Sequence, residues 1–188
     1  MEAILVKDQK AAAFVMEDGT FEGVYRITEK VCGDVEQVTG VRPKIIKWQG
    51  ELQPAPEYVA TLGNSEMSEA IAEEEGIELS SLCGKRECFL FQVLKNGSLL
   101  IAGSDKRGTI YGLFHISELM GVSPFVHFAD VVPAPQKEII FSEKDSMQSK
   151  EPSVKYRGFF INDEWPAFGN WTFSHYGGFT AEMYDLIF

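Results

Sequence analysis

The chain has 188 residues, room for one ordinary domain or for one domain and part of another, since domains usually run to roughly 100 to 200 residues. With 45% hydrophobic and 24% charged residues the composition is that of a globular protein with a real core, which excludes the disordered class. A formal net charge of −11 repels DNA, RNA and anionic membrane surfaces, so neither nucleic acid nor a membrane is expected as a partner.

In chain order, residues 2–6 (EAILV) and 11–17 (AAAFVME) read as short strands, with Asp18-Gly19 as a turn after the second. Val24, Ile27, Val31, Val35 and Val38 then recur at steps of three and four, the spacing of one helix face, and Gly40 and Pro43 supply the stop. KIIKW (44–48) returns as a strand, a proline-rich connection follows, and YVATLG (58–63) is the next strand. Asn64 or Ser65 caps a short helix with Met67, Ala70 and Ile71 inward and an acidic outer face. CFLFQVLKNGSLLIAG (88–103) predicts a hairpin turning on Asn96-Gly97, a dipeptide that tolerates positive φ at both turn centres. Ser104 or Asp105 caps a helix whose apolar positions Ile110, Leu113, Ile116, Leu119 and Met120 recur at helical spacing before Gly121. This alternation predicts an α/β domain with a mixed, α+β-like sheet flanked by helices.

The texture changes between Val131 and Pro152, where prolines and charges bracket one short run, KEIIFS, which puts a domain edge near residues 145–153. The expected division is a first domain over 1–145, a linker over 146–153 and a second segment over 154–188. VKYRGFFIN reads as a strand apolar on both faces, and GGFTAEMYDLIF begins a helix capped by Thr180 with Met183, Leu186 and Ile187 on one side.

No apolar run approaches the roughly 18 residues of a membrane span, and the start, MEAILVKDQK, lacks the basic and long apolar regions of a secretory signal. A cytoplasmic location is therefore expected of the chain as written, with an export signal further upstream left open. Cys32, Cys83 and Cys88 make an odd count without a C-x-x-C, which predicts buried free thiols and neither disulfides nor a zinc ribbon. His115, His127 and His175 have no second ligand at metal spacing, so no metal or other cofactor is expected. GSDKRG (103–108) and CGKRE (83–87) invite a phosphate-loop reading, but both lack the G-x-x-x-x-G-K-[ST] pattern.

Three stretches carry a resemblance: AGSDKRGTIYGLFHISELMGVSPF (102–125), FADVVP (128–133) and PSVKYRGFFINDEWPAFGNW (152–171). Together they resemble the front end of glycoside hydrolase family 115, the xylan α-1,2-glucuronidases. The resemblance implies an N-terminal α/β domain leading into a (β/α)₈ barrel that carries the active site. A barrel needs roughly 250 residues. Residues 154–188 would hold only its first strand and the start of its first helix, so the expectation is a truncated piece of a glycosidase, inactive alone.

That reading gives a meaning to the acid-tipped end of the strand. Glycosidases generally use two carboxyl groups, about 5 Å apart for retention and about 6.5 to 9.5 Å apart for inversion, the course the resemblance implies. Barrel enzymes draw their sites from the carboxyl ends of the strands, where Asn162, Asp163 and Glu164 stand. The resemblance implies substrate contact for Asn162 and Asp163 and a supporting role for Glu164, with the principal acid and base on later strands. The alternative is that these residues cap their own loop, as Asn and Asp often do. Arg107 and Arg157 lie in the matching motifs but in positions that suit structural pairing. The implied partner is carbohydrate, glucuronoxylan or its oligosaccharides. The aromatic run from Phe159 to Phe188 would suit a barrel core and, left uncovered, self-association. A stand-alone α/β binding module, or the same accessory domain from another glycosidase family, is the competing reading.

Overall fold

The computed structural model describes residues 1–53, 55–126, 131–158, 160–162 and 164–187. Two compact units divide the chain, Met1–Pro152 and Ser153–Phe188. The first contains strands β1 (Glu2–Lys7), β2 (Lys10–Ala11), β3 (Phe14–Met16), β4 (Ile45–Lys47), β5 (Glu57–Thr61), β6 (Phe89–Val93), β7 (Leu99–Gly103), β8 (Ile139–Ser142) and β9 (Met147–Gln148). Its helices are α1 (Glu22–Thr39), α2 (Glu66–Glu75) and α3 (Lys106–Leu119).

A six-stranded sheet in the order β4-β3-β5-β7-β6-β9 forms the frame, and β2-β1-β8 make a separate three-stranded sheet. Strands β4, β3, β5 and β7 run parallel, β6 runs antiparallel to β7, and β9, antiparallel to β6, returns to the direction of the first four, so the sheet is mixed and helix-flanked as the alternation of elements predicts. Apolar side chains fill both of its faces. Phe14, Val59, Leu99 and Ile101 meet α1, α3 and the small sheet, while Val15, Tyr58, Ala60, Leu100 and Ala102 meet α2 and Leu82. Burial on two faces is what a parallel strand between helical layers requires, and it explains why β7, LLIAG, reads as a continuous apolar run.

Three local expectations are corrected. The strand expected over 11–17 is two pieces, because Asp8 and Gln9 both take positive φ (50° and 59°) and fold β2 back on β1 in a two-residue hairpin. The 88–103 hairpin pairs Val93 with Leu99, so three residues, Lys95 to Gly97, form its loop. Gly97 N–H reaches Leu94 C=O at 3.2 Å and only Gly97 has positive φ (84°), which is a type I turn closed by a glycine bulge rather than a turn centred on Asn96-Gly97. Part of the stretch expected as linker also belongs to the first unit. β9 pairs with β6, and the Ser146 and Ser149 hydroxyls accept the Val93 and Phe89 amides at 3.0 and 2.8 Å, which covers the edge of β6.

Glycines set how closely α3 approaches the sheet. A Cβ on Gly108 would lie 2.1 Å from the Cys88 carbonyl oxygen, one on Gly103 would lie 2.1 Å from the Thr109 nitrogen, and one on Gly112 would lie 2.7 Å from Ile101 Cγ2. The GSDKRG-IYG motif is thus a contact surface in which backbone meets backbone. Buried behind it, the Thr109 and Thr61 hydroxyls share a 2.7 Å hydrogen bond that ties α3 to the end of β5.

The second unit is two helices, α4 (Ala167–Tyr176) and α5 (Ala181–Ile187), around an aromatic cluster. Phe168 packs on Trp171 and Phe179, and Trp165 packs on Phe173 at a centroid distance of 5.3 Å. Gly169 admits the Trp165 ring, since a Cβ there would lie 2.9 Å from it. Thr180 Oγ1 accepts the Met183 amide at 3.2 Å, which is the expected cap, and Met183 is fully buried. Helix α4 was not legible, because its aromatic residues face several directions and carry no helical period. The strand expected over 154–162 is not formed among its described residues. A strand needs a neighbour to take its amides and carbonyls, and among the described residues this unit offers no second strand.

Candidate functional site

Asn162 and Glu164 are exposed, and Asn162 Oδ1 accepts the Glu164 amide at 3.3 Å, while the Glu164 carbonyl accepts the Gly169 amide at 3.5 Å. Side chain and backbone therefore lead the chain from an irregular segment into α4. Asp163 lies outside the described residues, as do His127, Phe159 and Phe188. Tyr156 and Phe160, which precede the tip in sequence, are 86% and 89% exposed. Arg157 Nη1 bonds the Val154 carbonyl at 2.7 Å and serves its own turn.

The phosphate-loop candidate is closed by the protein itself. Asp105 caps α3, with Oδ1 accepting the Gly108 amide at 2.8 Å and Oδ2 accepting the Glu87 amide at 2.9 Å. The helix end that an anion would seek already holds a carboxylate. Glu87, itself at φ 57°, meets Arg107 at 3.1 Å, so Arg107 pairs within the first unit. Replacing Asp105 with Ala removes two acceptors at one helix start and is expected to destabilise the first unit by about 2 kcal/mol, measured by urea titration. Asp105→Asn, which keeps one acceptor oxygen, should recover roughly half of the loss.

The carboxyl ends of β3, β4 and β5 border an open crevice lined by Glu17, Asp18, Trp48, Asn64, Ser65, Glu66 and Glu69. The topology reverses between β3 and β5, where open α/β sheets usually place ligands. Here several of the polar groups are engaged internally. Glu17 accepts the Met67 amide at 2.9 Å, Asp18 pairs with Lys47 at 2.6 Å, and the Ser65 hydroxyl caps α2 by accepting the Ser68 amide at 3.0 Å.

His115 lies against Phe89 and Phe91 and bonds Glu118 at 2.9 Å, and His175 bonds the Trp171 carbonyl at 2.8 Å. No group of three metal-ligating side chains occurs among the described residues, and no helix there is long and apolar enough to cross a membrane. Cys32 and Cys88 are buried, and burial pushes the Cys32 thiol up to about 12. Cys83, expected inside, is exposed.

One titratable residue escaped the sequence reading. Glu57 opens β5 with 1% exposure, and its Oε2 has no hydrogen-bond partner. Burial alone pushes its carboxyl up to about 8. A glutamate wedged between a proline-rich connection and the apolar run YVAT was the available signal.

The profile described as Glycosyl hydrolase family 115 matches residues 149–188, the stretch that contains the N-D-E tip. A solved structure described as a novel family GH115 4-O-methyl-α-glucuronidase, BtGH115A, with specificity for decorated arabinogalactans is 31% identical, with a TM-score of 0.72. The match covers 95% of this chain and 22% of that one, so the chain spans about a fifth of its solved relative. A second solved structure, CpGH84D, gives a TM-score of 0.47 at 12% identity over 74% of this chain and 21% of that one. No curated protein matches the chain.

Proposed function

The chain belongs to glycoside hydrolase family 115, and from that membership we propose that it is the front part of an enzyme that removes α-1,2-linked glucuronic or 4-O-methylglucuronic acid from glucuronoxylan. The observation that carries this reading is the 31% identity over 95% of the chain to a solved 4-O-methyl-α-glucuronidase. In this reading the first unit is the accessory α/β domain, and residues 154–162 supply the first barrel strand, which pairs once neighbouring strands are present.

Asn162 and Asp163 then reach the sugar from the carboxyl end of that strand, and Glu164 supports the loop. Hydrolysis of a glycoside needs one carboxylic acid to protonate the leaving oxygen and a carboxylate to activate water on the opposite face. Asp163 and Glu164 cannot be that pair, since neighbours on a strand point to opposite sides. Both principal groups belong to later strands, and the chain by itself holds one corner of a pocket.

Uncovered aromatic side chains of the second unit, among them Trp165 and Phe173 at 59% and 50% exposure, support self-association of the isolated chain. Decorated arabinogalactan is a second substrate reading, favoured by the specificity of the solved relative. The test compares this chain with a version extended through a full barrel, each incubated with glucuronoxylan and with decorated arabinogalactan while uronic acid release is followed. The extended protein is expected to release it and the 188-residue chain to release none. Asn162→Ala in the extended protein should lower kcat/KM by about 100-fold, the loss of one or two good hydrogen bonds to the sugar. Release by the short chain, or none from the extended protein on either glycan, would sink the reading.

A further inference from the structure

We propose that Glu57 and Tyr58 form a protonation-dependent latch that holds the amino end of β5, and the connection entering it, in the sheet. The two side chains stand on opposite faces of one strand. Tyr58, fully buried, reaches back to Gln53, with its hydroxyl accepting the Gln53 amide at 2.7 Å and donating to the Gln53 carbonyl at 3.1 Å. Glu57 goes the other way. Its register partners are Phe14 on β3 and Leu99 on β7, and strand alternation puts it on the face of Val59.

The core on that face is built from apolar residues such as Leu5, Phe14, Val59 and Leu99. A carboxylate whose Oε2 is buried without a donor in such a place costs several kcal/mol, so the seat favours the neutral acid over its anion. No charged neighbour enters the balance at Glu57, where burial is the whole cause of the shift; Glu74 acts at Tyr58, where burial and that acid both raise the hydroxyl and the Gln53 backbone lowers it.

The position in the strand turns this into a device. Glu57 is the first residue of β5, held by its amide to the Ala13 carbonyl at 2.9 Å, and Pro56 ahead of it accepts the Leu99 amide at 3.1 Å. A charge formed there can reach water if the strand end peels, without unfolding the centre of the sheet. Peeling strains the Gln53 bonds to Tyr58, so the two contacts open together. Loss of one proton from Glu57 is therefore coupled to release of the connection.

Amide hydrogen exchange on the whole chain between pH 5 and 9, corrected for intrinsic rates, tests this. In the wild type, protection of the Gln53, Glu57 and Tyr58 amides should fall by about tenfold per pH unit up to about pH 8 and then level off, the slope of a one-proton linkage. Glu57→Gln should flatten that profile, and Tyr58→Phe should lower protection at Gln53 at every pH while keeping the slope. A slope retained in Glu57→Gln, or a flat wild-type profile, would overturn the latch. Should Glu57→Gln fail to fold, isotope-edited infrared spectra of the wild type decide. A protonated carboxyl band persisting at pH 7 supports the proposal, and its absence at pH 6 refutes it.

Discussion

Gly108→Ala is expected to lower the melting temperature of the first unit by about 10 °C, an outcome opposite to what helix propensity predicts. Alanine in place of glycine inside a helix ordinarily stabilises by about 1 kcal/mol. Here the added Cβ would stand 2.1 Å from the Cys88 carbonyl oxygen, and that neighbour is backbone in a loop whose next residue starts β6. It cannot rotate away as a side chain would, so α3 must lift from the sheet. Lifting opens the contacts of Gly112 with Ile101 and breaks the Thr109 hydroxyl bond to Thr61. Overpacking of this kind costs about 3 kcal/mol, and in a unit of this size each kcal/mol moves the midpoint by roughly 2 to 4 °C. Gly23→Ala in α1 is the matched control. Its Cβ would meet only the Ile110 and Lys106 side chains, at 3.8 and 3.9 Å, so it should be neutral or slightly stabilising. Calorimetry showing the two variants equally stable would refute the close-approach account of the motif.

The same motif shows what could be read beforehand. The cap at Asp105, the apolar stripe of α3 and the stop at Gly121 follow from local chemistry and stand in the structure as expected, Leu119 excepted, which is 40% exposed at the helix end. The reason for the glycines at 103, 108 and 112 was not legible. It lies in a distance between elements far apart in sequence, and no local pattern encodes that. Strand existence was likewise recoverable for β5, β6 and β7, whose runs are apolar, whereas the register of the hairpin was not. An Asn-Gly pair fits both a two-residue turn and a three-residue turn with a glycine bulge, and cross-strand packing selects between them.

At the acidic tip the limit is different in kind. The residues 154–162 have the composition of a strand, but a strand is a property of a pair. Their tip can be recognised by its N-D-E sequence and by its place in the family match, while the geometry around Asn162 and Glu164 is that of the local loop. Burial, too, misleads from sequence alone. Aromatic residues such as Tyr156 and Phe160 read as core and are among the most exposed in the chain, whereas Glu57 reads as surface and is fully enclosed.

That inversion at Glu57 contributes a pH dependence to the stability of the first unit. In the unfolded chain the carboxyl releases its proton near 4.5, and in the folded chain it does so near about 8. Between those values the unfolded state binds fewer protons, so unfolding becomes easier as pH rises, and the full stability belongs to the acid side. At pH 7 the deficit is on the order of 3 kcal/mol, large against the roughly 5 to 15 kcal/mol that holds a domain together. Glu57→Gln keeps the shape and cannot ionise. It should match the wild type near pH 4.5 and exceed it by about 3 kcal/mol at pH 7, with the gap levelling off above pH 8. Urea titrations of both proteins from pH 4.5 to 9 measure that gap directly. Equal stability at pH 7 would mean that the folded protein gives the anion a partner, contrary to the isolation of Oε2 in this structure.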